Sequence, residues 1–205
     1  MVHKKRRQPS EKGVATMKKI VIIGDSIAAG LYEGQPSNVL DTFIIDELAG
    51  MGFPGYEMVN LGQRAEGTTE VLARIADAVK EEPDFVVINA GINDALNQKG
   101  IEAFAANLSE MIEKFAPEKV ILIGLGIVDR QKRPEADPVS IQEYNDRGKK
   151  VALQAGVNFI DMYHHEMVYP EPLEFISEDG LHPSKFGYHL YGGLIARDIK
   201  NKLIG

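Results

Sequence analysis

The sequence predicts one three-layer α/β/α domain built on a five-stranded parallel sheet. Five short apolar runs alternate with longer amphipathic stretches, the order expected of parallel strands joined by right-handed helical crossovers. The apolar runs are continuous rather than alternating, which marks strands covered on both faces. No internal repeat, low-complexity tract or linker interrupts residues 17–205. A chain of 205 residues, 44% of them apolar, is long enough for one substantial core.

Ile20–Ile23 is the first strand and runs into Gly24-Asp25-Ser26. Val39–Leu48 reads as a helix, with Leu40, Phe43, Ile44 and Leu48 at helical spacing, and Gly50, Gly52, Pro54 and Gly55 end it. Tyr56–Leu61 is the second strand and stops at Gly62. Thr68–Lys80 is a helix with Val71, Leu72, Ile75 and Val79 on one face. Phe85–Ile88 is the third strand, followed by a helix over Ile101–Phe115 and a fourth strand at Val120–Ile123. A polar loop, Gln131–Pro138, precedes a helix over Ser140–Ala155, and Val157–Ile160 is the fifth strand. His164–Ser177 reads as irregular. The last helix starts near Pro183, a favourable first-turn residue, and carries an apolar face of Phe186, Leu190, Leu194, Ile195, Ile199 and Leu203.

Charge is unevenly placed. Residues 1–19 hold seven basic side chains and one acid, a net +6, whereas the rest carries 16 basic and 29 acidic side chains, a net −13. The folded body is therefore acidic, which does not suit a nucleic-acid-binding face. Residues 1–16 read as a basic, solvated, disordered leader rather than an arm for nucleic acid or anionic lipid. Ile20–Ile23 falls short of the roughly 7–15 apolar residues of an export signal. No run approaches the ~20 of a membrane span. The chain has no cysteine, which excludes disulfides, thiolate nucleophiles and cysteine-ligated metals. A cytoplasmic location is expected.

In open α/β sheets, sites form at the carboxyl ends of the strands. Ser26, Gly62 and Asn93 follow the first three strands and are expected to line one edge. A serine hydroxyl needs an adjacent base to attack at neutral pH, histidine suits that role, and a carboxylate then fixes its tautomer. Asp179-Gly180-Leu181-His182-Pro183 offers the last two at a spacing of three residues. Negative charge developing on a carbonyl oxygen needs waiting donors. The Ser26 N–H at a helix start, the Gly62 N–H and the Asn93 side-chain amide can supply them. Read singly, Ser26 is as good a helix N-cap and Gly62 and Asn93 are ordinary turn residues. The segment Gly24–Gly30 also permits a phosphate- or nucleotide-binding module, although Asp25 would repel the anion.

Taken together, Gly24-Asp25-Ser26-Ile27, Gly62, Gly91-Ile92-Asn93-Asp94 and Asp179-x-x-His182-Pro183 resemble the blocks of the SGNH (GDSL-type) hydrolase family, in family order, over about residues 20–190. The resemblance implies a flavodoxin-like sheet. It implies Ser26 as nucleophile, His182 as general base and acid with Asp179 as its partner, and an oxyanion hole from Ser26, Gly62 and Asn93. It also implies esters, thioesters, lysophospholipids or acetylated sugars as substrates, without metal or cofactor. Ile27 departs mildly from the family's leucine. The stretch Gln63–Thr69 departs more, placing Arg64 and Glu66 beside the oxyanion hole. Asp25 reads as a loop-ordering group and Asp94 as a loop brace. His164-His165-Glu166 reads as surface loop rather than metal site, and His189 as structural. The absence of tryptophan and of an apolar lid leans towards a small-molecule ester with a short acyl group, acetyl to butyryl, on a soluble alcohol, thiol or sugar. An acyltransferase would share the same acyl-enzyme.

Overall fold

Five apolar runs do become strands in the computed structural model, which describes residues 17–205; the leader expected over residues 1–16 lies outside the described residues. The strands are β1 (Lys18–Gly24), β2 (Tyr56–Gly62), β3 (Phe85–Asn89), β4 (Val120–Ile123) and β5 (Asn158–Ile160). All pair in parallel, in the order β2-β1-β3-β4-β5. Ile20–Ile23, Val86–Ile88 and Val120–Ile121 have no exposed surface, as strands covered on both faces must. The flavodoxin-like order reverses direction between β1 and β3, so the chain leaves their carboxyl ends towards opposite faces and opens a crevice there.

Eight α-helices cover the sheet: α1 (Val39–Gly50), α2 (Thr68–Ala73), α3 (Ile75–Lys80), α4 (Ile92–Leu96), α5 (Ile101–Ile112), α6 (Pro138–Ala155), α7 (Met162–Met167) and α8 (Lys185–Ile204), counted among the described residues. Helices α1 and α8 pack together on one face, and α5 lies between α2 and α6 on the other. The α1–α8 contact is close because Gly192 has no side chain: a Cβ there would lie 2.5 Å from Phe43 Cβ. His189 reinforces the same contact, stacking on Phe43 at 4.7 Å and meeting Glu47 Oε1 at 2.9 Å.

Several local expectations change. The helix expected over Thr68–Lys80 is broken at Arg74, whose φ of −117° ends α2 and starts α3. Helix α6 begins at Pro138 because Asp137 caps it, accepting from the Val139 and Ser140 N–H groups. Ser184, not Pro183, caps α8 through Gly187 N–H at 3.1 Å; Pro183 instead sits in an isolated β-bridge with Ile176. The segment expected to be irregular takes in most of α7, which starts at Met162, and a 3-10 turn at Pro172–Phe175.

Glu166 is the largest departure, since the surface-loop reading fails for it. It is fully buried on α7, where Oε2 accepts the Ile127 N–H at 2.6 Å, and Oε1 has no hydrogen-bond partner among the described residues. Burial pushes its carboxyl up to about 8. The folded state thus holds a proton on Glu166 that the unfolded chain releases above about pH 4.3. Its contribution to stability is full below that pH and is lost as pH rises towards 8. Glu166→Gln removes the ionisable group and keeps an acceptor for Ile127. Its Tm, measured by calorimetry, is expected to be close to wild type at pH 5 and clearly above it at pH 8, where the difference in stability is on the order of one to a few kcal/mol.

Candidate active site

Ser26 lies at the carboxyl end of β1, on a tight turn rather than the helix expected there. Ala29 N–H returns to Asp25 O and Leu31 N–H to Ser26 O, each at 3.0 Å, and the chain then leaves for α1. Ser26 Oγ is 2.8 Å from His182 Nε2, and His182 Nδ1 is 2.6 Å from Asp179 Oδ2. Ser26 and His182 are buried, while Asp179 is part-exposed.

The acid and the histidine share one short loop with its own logic. Ser177 N–H reaches His182 O at 2.8 Å, and Gly180 turns the chain at φ 78°. That turn folds Asp179 back on its successors. Its Oδ1 accepts the Leu181 and His182 N–H groups at 2.9 Å and the Ser177 hydroxyl at 2.8 Å, leaving Oδ2 for the imidazole. Burial alone would raise this carboxyl, but the hydrogen bonds from Leu181 N–H, the His182 ring, His182 N–H and Ser177 together hold it well below the usual range. Asp179 is therefore an anion aimed at Nδ1. Such a partner keeps a proton on Nδ1 and leaves Nε2 as acceptor for the serine proton. The loop is buttressed from β4's side, where Asp129 N–H donates to Gly180 O and Arg133 Nε to Asp179 O, both at 2.9 Å.

Asn93 is on the first turn of α4, a helix too short to show periodicity in the sequence. Its amide donates one hydrogen to Glu66 O at 2.8 Å and keeps a second, because an amide carries two. The Ser26 N–H has no hydrogen-bond partner among the described residues.

Gly62 is a correction. It pairs with Gly24 in the β2–β1 register, but its N–H is taken by Asn60 Oδ1 at 2.9 Å. Its lack of a side chain serves packing: a Cβ would lie 2.1 Å from Ala29 N, so glycine lets the Ser26 turn rest on the end of β2. The loop beyond it, residues 63–67, reaches Asn93 instead.

The neighbouring acids divide by role. Asp94 accepts Thr68 N–H at 2.8 Å and the Thr68 hydroxyl at 2.6 Å, bracing the start of α2. Asp25 is buried behind Ser26; Oδ1 accepts the Ile27 N–H at 2.8 Å and orders the turn. Burial, helped by the charges of Asp94 and Glu66, pushes its carboxyl up to about 7. His164 and His165 lie on α7, and no cluster of three ligating His, Asp or Glu side chains occurs among the described residues. A cleft of about 610 Å³ opens beside Asp179, walled by Leu31, Tyr32, Glu33, Glu178 and Lys185.

Residues 22–190 match the model of the GDSL-like lipase/acylhydrolase family. The crystal structure of the lipase/acylhydrolase from Enterococcus faecalis superposes with a TM-score of 0.86 at 38% identity, covering 91% of this chain and 97% of that one. Esterase TesA of Pseudomonas aeruginosa is 27% identical over 179 residues, 83% of this chain and 82% of its own. An arylesterase of Vibrio mimicus is 24% identical over 189 residues, 91% and 90% of the two chains.

The packing role of Gly62 has a direct consequence. Gly62→Ala drives a methyl group into the Ala29 backbone and is expected to cost about 1–3 kcal/mol. Thermal unfolding would show it as a Tm lowered by roughly 3–10 °C.

Proposed function

For a chain that belongs to the GDSL-like lipase/acylhydrolase family and is a carboxylic ester hydrolase, we propose that Ser26, His182 and Asp179 carry the reaction through an acyl-enzyme on small esters. The observation that carries this reading is the continuous relay from Ser26 Oγ to His182 Nε2 at 2.8 Å and from His182 Nδ1 to Asp179 Oδ2 at 2.6 Å. His182 takes the Ser26 proton as Oγ attacks the ester carbonyl. The resulting imidazolium is stabilised by Asp179 and returns the proton to the departing alkoxide. Water then repeats the sequence on the acyl-enzyme, regenerating Ser26.

The oxyanion hole in this reading comes from the Ser26 N–H, the second Asn93 amide hydrogen and the Ala65 N–H in place of Gly62. Three features support Ala65. It sits at φ 62°, a left-handed conformation costly for a residue with a Cβ. Its N–H has no hydrogen-bond partner among the described residues. The next residue is fastened to the Asn93 amide. Strain held beside a reacting centre is a common mark of a backbone set for its task.

The substrate reading is a short acyl group on a soluble alcohol. The cleft beside Asp179 combines Tyr32 and Leu31 with Glu33, Glu178 and Lys185, a mixed wall suited to a polar alcohol rather than a lipid tail. The Vibrio mimicus relative, an arylesterase, makes p-nitrophenyl esters suitable probes.

Initial rates over a series from p-nitrophenyl acetate to decanoate are expected to fall as the acyl chain lengthens; a preference for decanoate would contradict the short-acyl reading. Ser26→Ala and His182→Ala should abolish acetate hydrolysis, and Ser26→Ala should also abolish labelling by a fluorophosphonate. Asn93→Ala should lower kcat by about 10²–10³, the effect of losing one oxyanion donor. Ala65→Gly, which keeps the donor and suits the left-handed φ of 62°, should retain kcat, whereas the β-branched Ala65→Val, strained at that φ, should lower it.

A further inference from the structure

Arg74 is a basic residue in the middle of what the sequence reads as one helix, and nothing in the triad chemistry uses it. The helix breaks there, and the side chain turns under the site. Its guanidinium spends its donors on three acceptors: Nη1 on Leu61 O at 2.6 Å, Nη2 on Gly24 O at 2.9 Å, and Nε on Glu66 Oε2 at 2.7 Å. The Arg74 and Glu66 side chains are only 14% and 16% exposed, so this pair is largely withdrawn from water.

Each acceptor belongs to a different part of the oxyanion apparatus. Gly24 O ends β1, two residues before Ser26, and also accepts the Gln63 N–H at 2.9 Å. Leu61 O ends β2 just before the loop that carries Ala65. Glu66 closes that loop, and its backbone carbonyl holds the Asn93 amide at 2.8 Å. A planar fork is the one side chain able to tie three such acceptors in a fixed geometry; a lysine ammonium is a point charge on a flexible stem.

We propose that Arg74, clamped by Glu66, is a positioning residue that sets the Asn93 amide and the 63–67 loop at the distances the oxyanion requires. This rests on the reading of Ser26 as nucleophile and Asn93 as donor. Arg74 touches no reacting atom; it acts through Glu66 and the two strand-end carbonyls. Loss of the fork leaves the Ser26–His182–Asp179 relay in place and loosens only the donors. Substrate binding then changes little, and the step in which charge develops slows.

The test uses the full chain with Arg74→Lys and, as a second route should that variant fold poorly, Glu66→Ala. Active sites are counted by fluorophosphonate titration, and kcat and KM are measured on p-nitrophenyl acetate per titrated site. The expected result is a fall in kcat of about 10- to 100-fold, the scale of an ångström-level misplacement, with KM within about threefold of wild type. Placed in an Asn93→Ala background, Arg74→Lys should cost clearly less than it does alone, because part of its effect runs through the Asn93 amide. A lowered Tm with kcat per titrated site within about twofold of wild type would reduce Arg74 to a fold-stabilising residue and overturn the proposal. Independent, multiplying effects of Arg74→Lys and Asn93→Ala would overturn it as well. An Asn93→Ala variant with wild-type kcat would instead sink the reading of the site on which the proposal stands, a result visible before Arg74 is altered.

Discussion

Strand β1 is hydrogen-bonded along both edges, with Gly24 opposite Gly62 on one side and Asn89 on the other. That double pairing ends three strands at one level. It fixes where Ser26 can be, because Asp25 N–H continues the ladder to Asn89 O at 3.1 Å before the chain turns away. The strand order reverses at this point, so the turn opens into a crevice rather than against a neighbouring crossover. The remaining partners are brought to it from a distance. Asp179 and His182 follow β5 at the far edge of the sheet, yet they stand over β1 because α8 returns across the sheet to pack on α1. Tyr188, buried in the first turns of α8, donates to Leu31 O at 3.0 Å, and Leu31 N–H bonds to Ser26 O. The helix that starts just beyond His182 is thereby tied to the turn that carries Ser26.

The parts legible in the sequence were those set by composition over several residues. Continuous runs such as Ile20–Ile23 and Val120–Ile123 identify doubly covered strands, and their alternation with amphipathic stretches identifies parallel connections. Ser26, at the end of β1, and the Asp179–His182 pair, in the loop before α8, stand out in the sequence because a serine nucleophile would need such partners, and the fold brings the three into hydrogen-bond contact. The errors share a different cause. Helix α4, with five residues, and α7, with six, are too short to display a helical period. The break at Arg74 has no local signal, since its cause is a set of carbonyl groups on β1 and β2 that are remote in sequence. Glu166 carries a charge in the sequence, and the buried partner it serves, the Ile127 N–H, lies 39 residues away in the chain. Gly62 was misread for a related reason: a glycine at a strand end announces a close approach but not which backbone N–H is free. That depends on Asn60, whose side chain reaches forward to claim it.

Electrostatics joins these features. A hole built to hold a developing oxyanion loses its effect if uncompensated negative charge stands nearby in a low-dielectric setting. This site is crowded with acids, namely Asp25, Glu66 and Asp94, in a body already strongly acidic. Each is compensated differently. Asp94 spends its oxygens on the Thr68 N–H and hydroxyl. Glu66 is paired with Arg74, whose remaining donors are hydrogen-bonded to the carbonyls of Gly24 and Leu61 near the strand ends. Asp25 is buried until its carboxyl rises to about 7, so near neutrality it holds a proton for much of the time. Asp179 is the exception, held anionic by four hydrogen bonds on the far side of the imidazole, where in the proposed mechanism its charge would favour the imidazolium instead of opposing the oxyanion. The same residue type is thus kept charged on one side of Ser26 and compensated on the other, and the difference lies in how deeply the fold buries each carboxyl and in the donors it supplies.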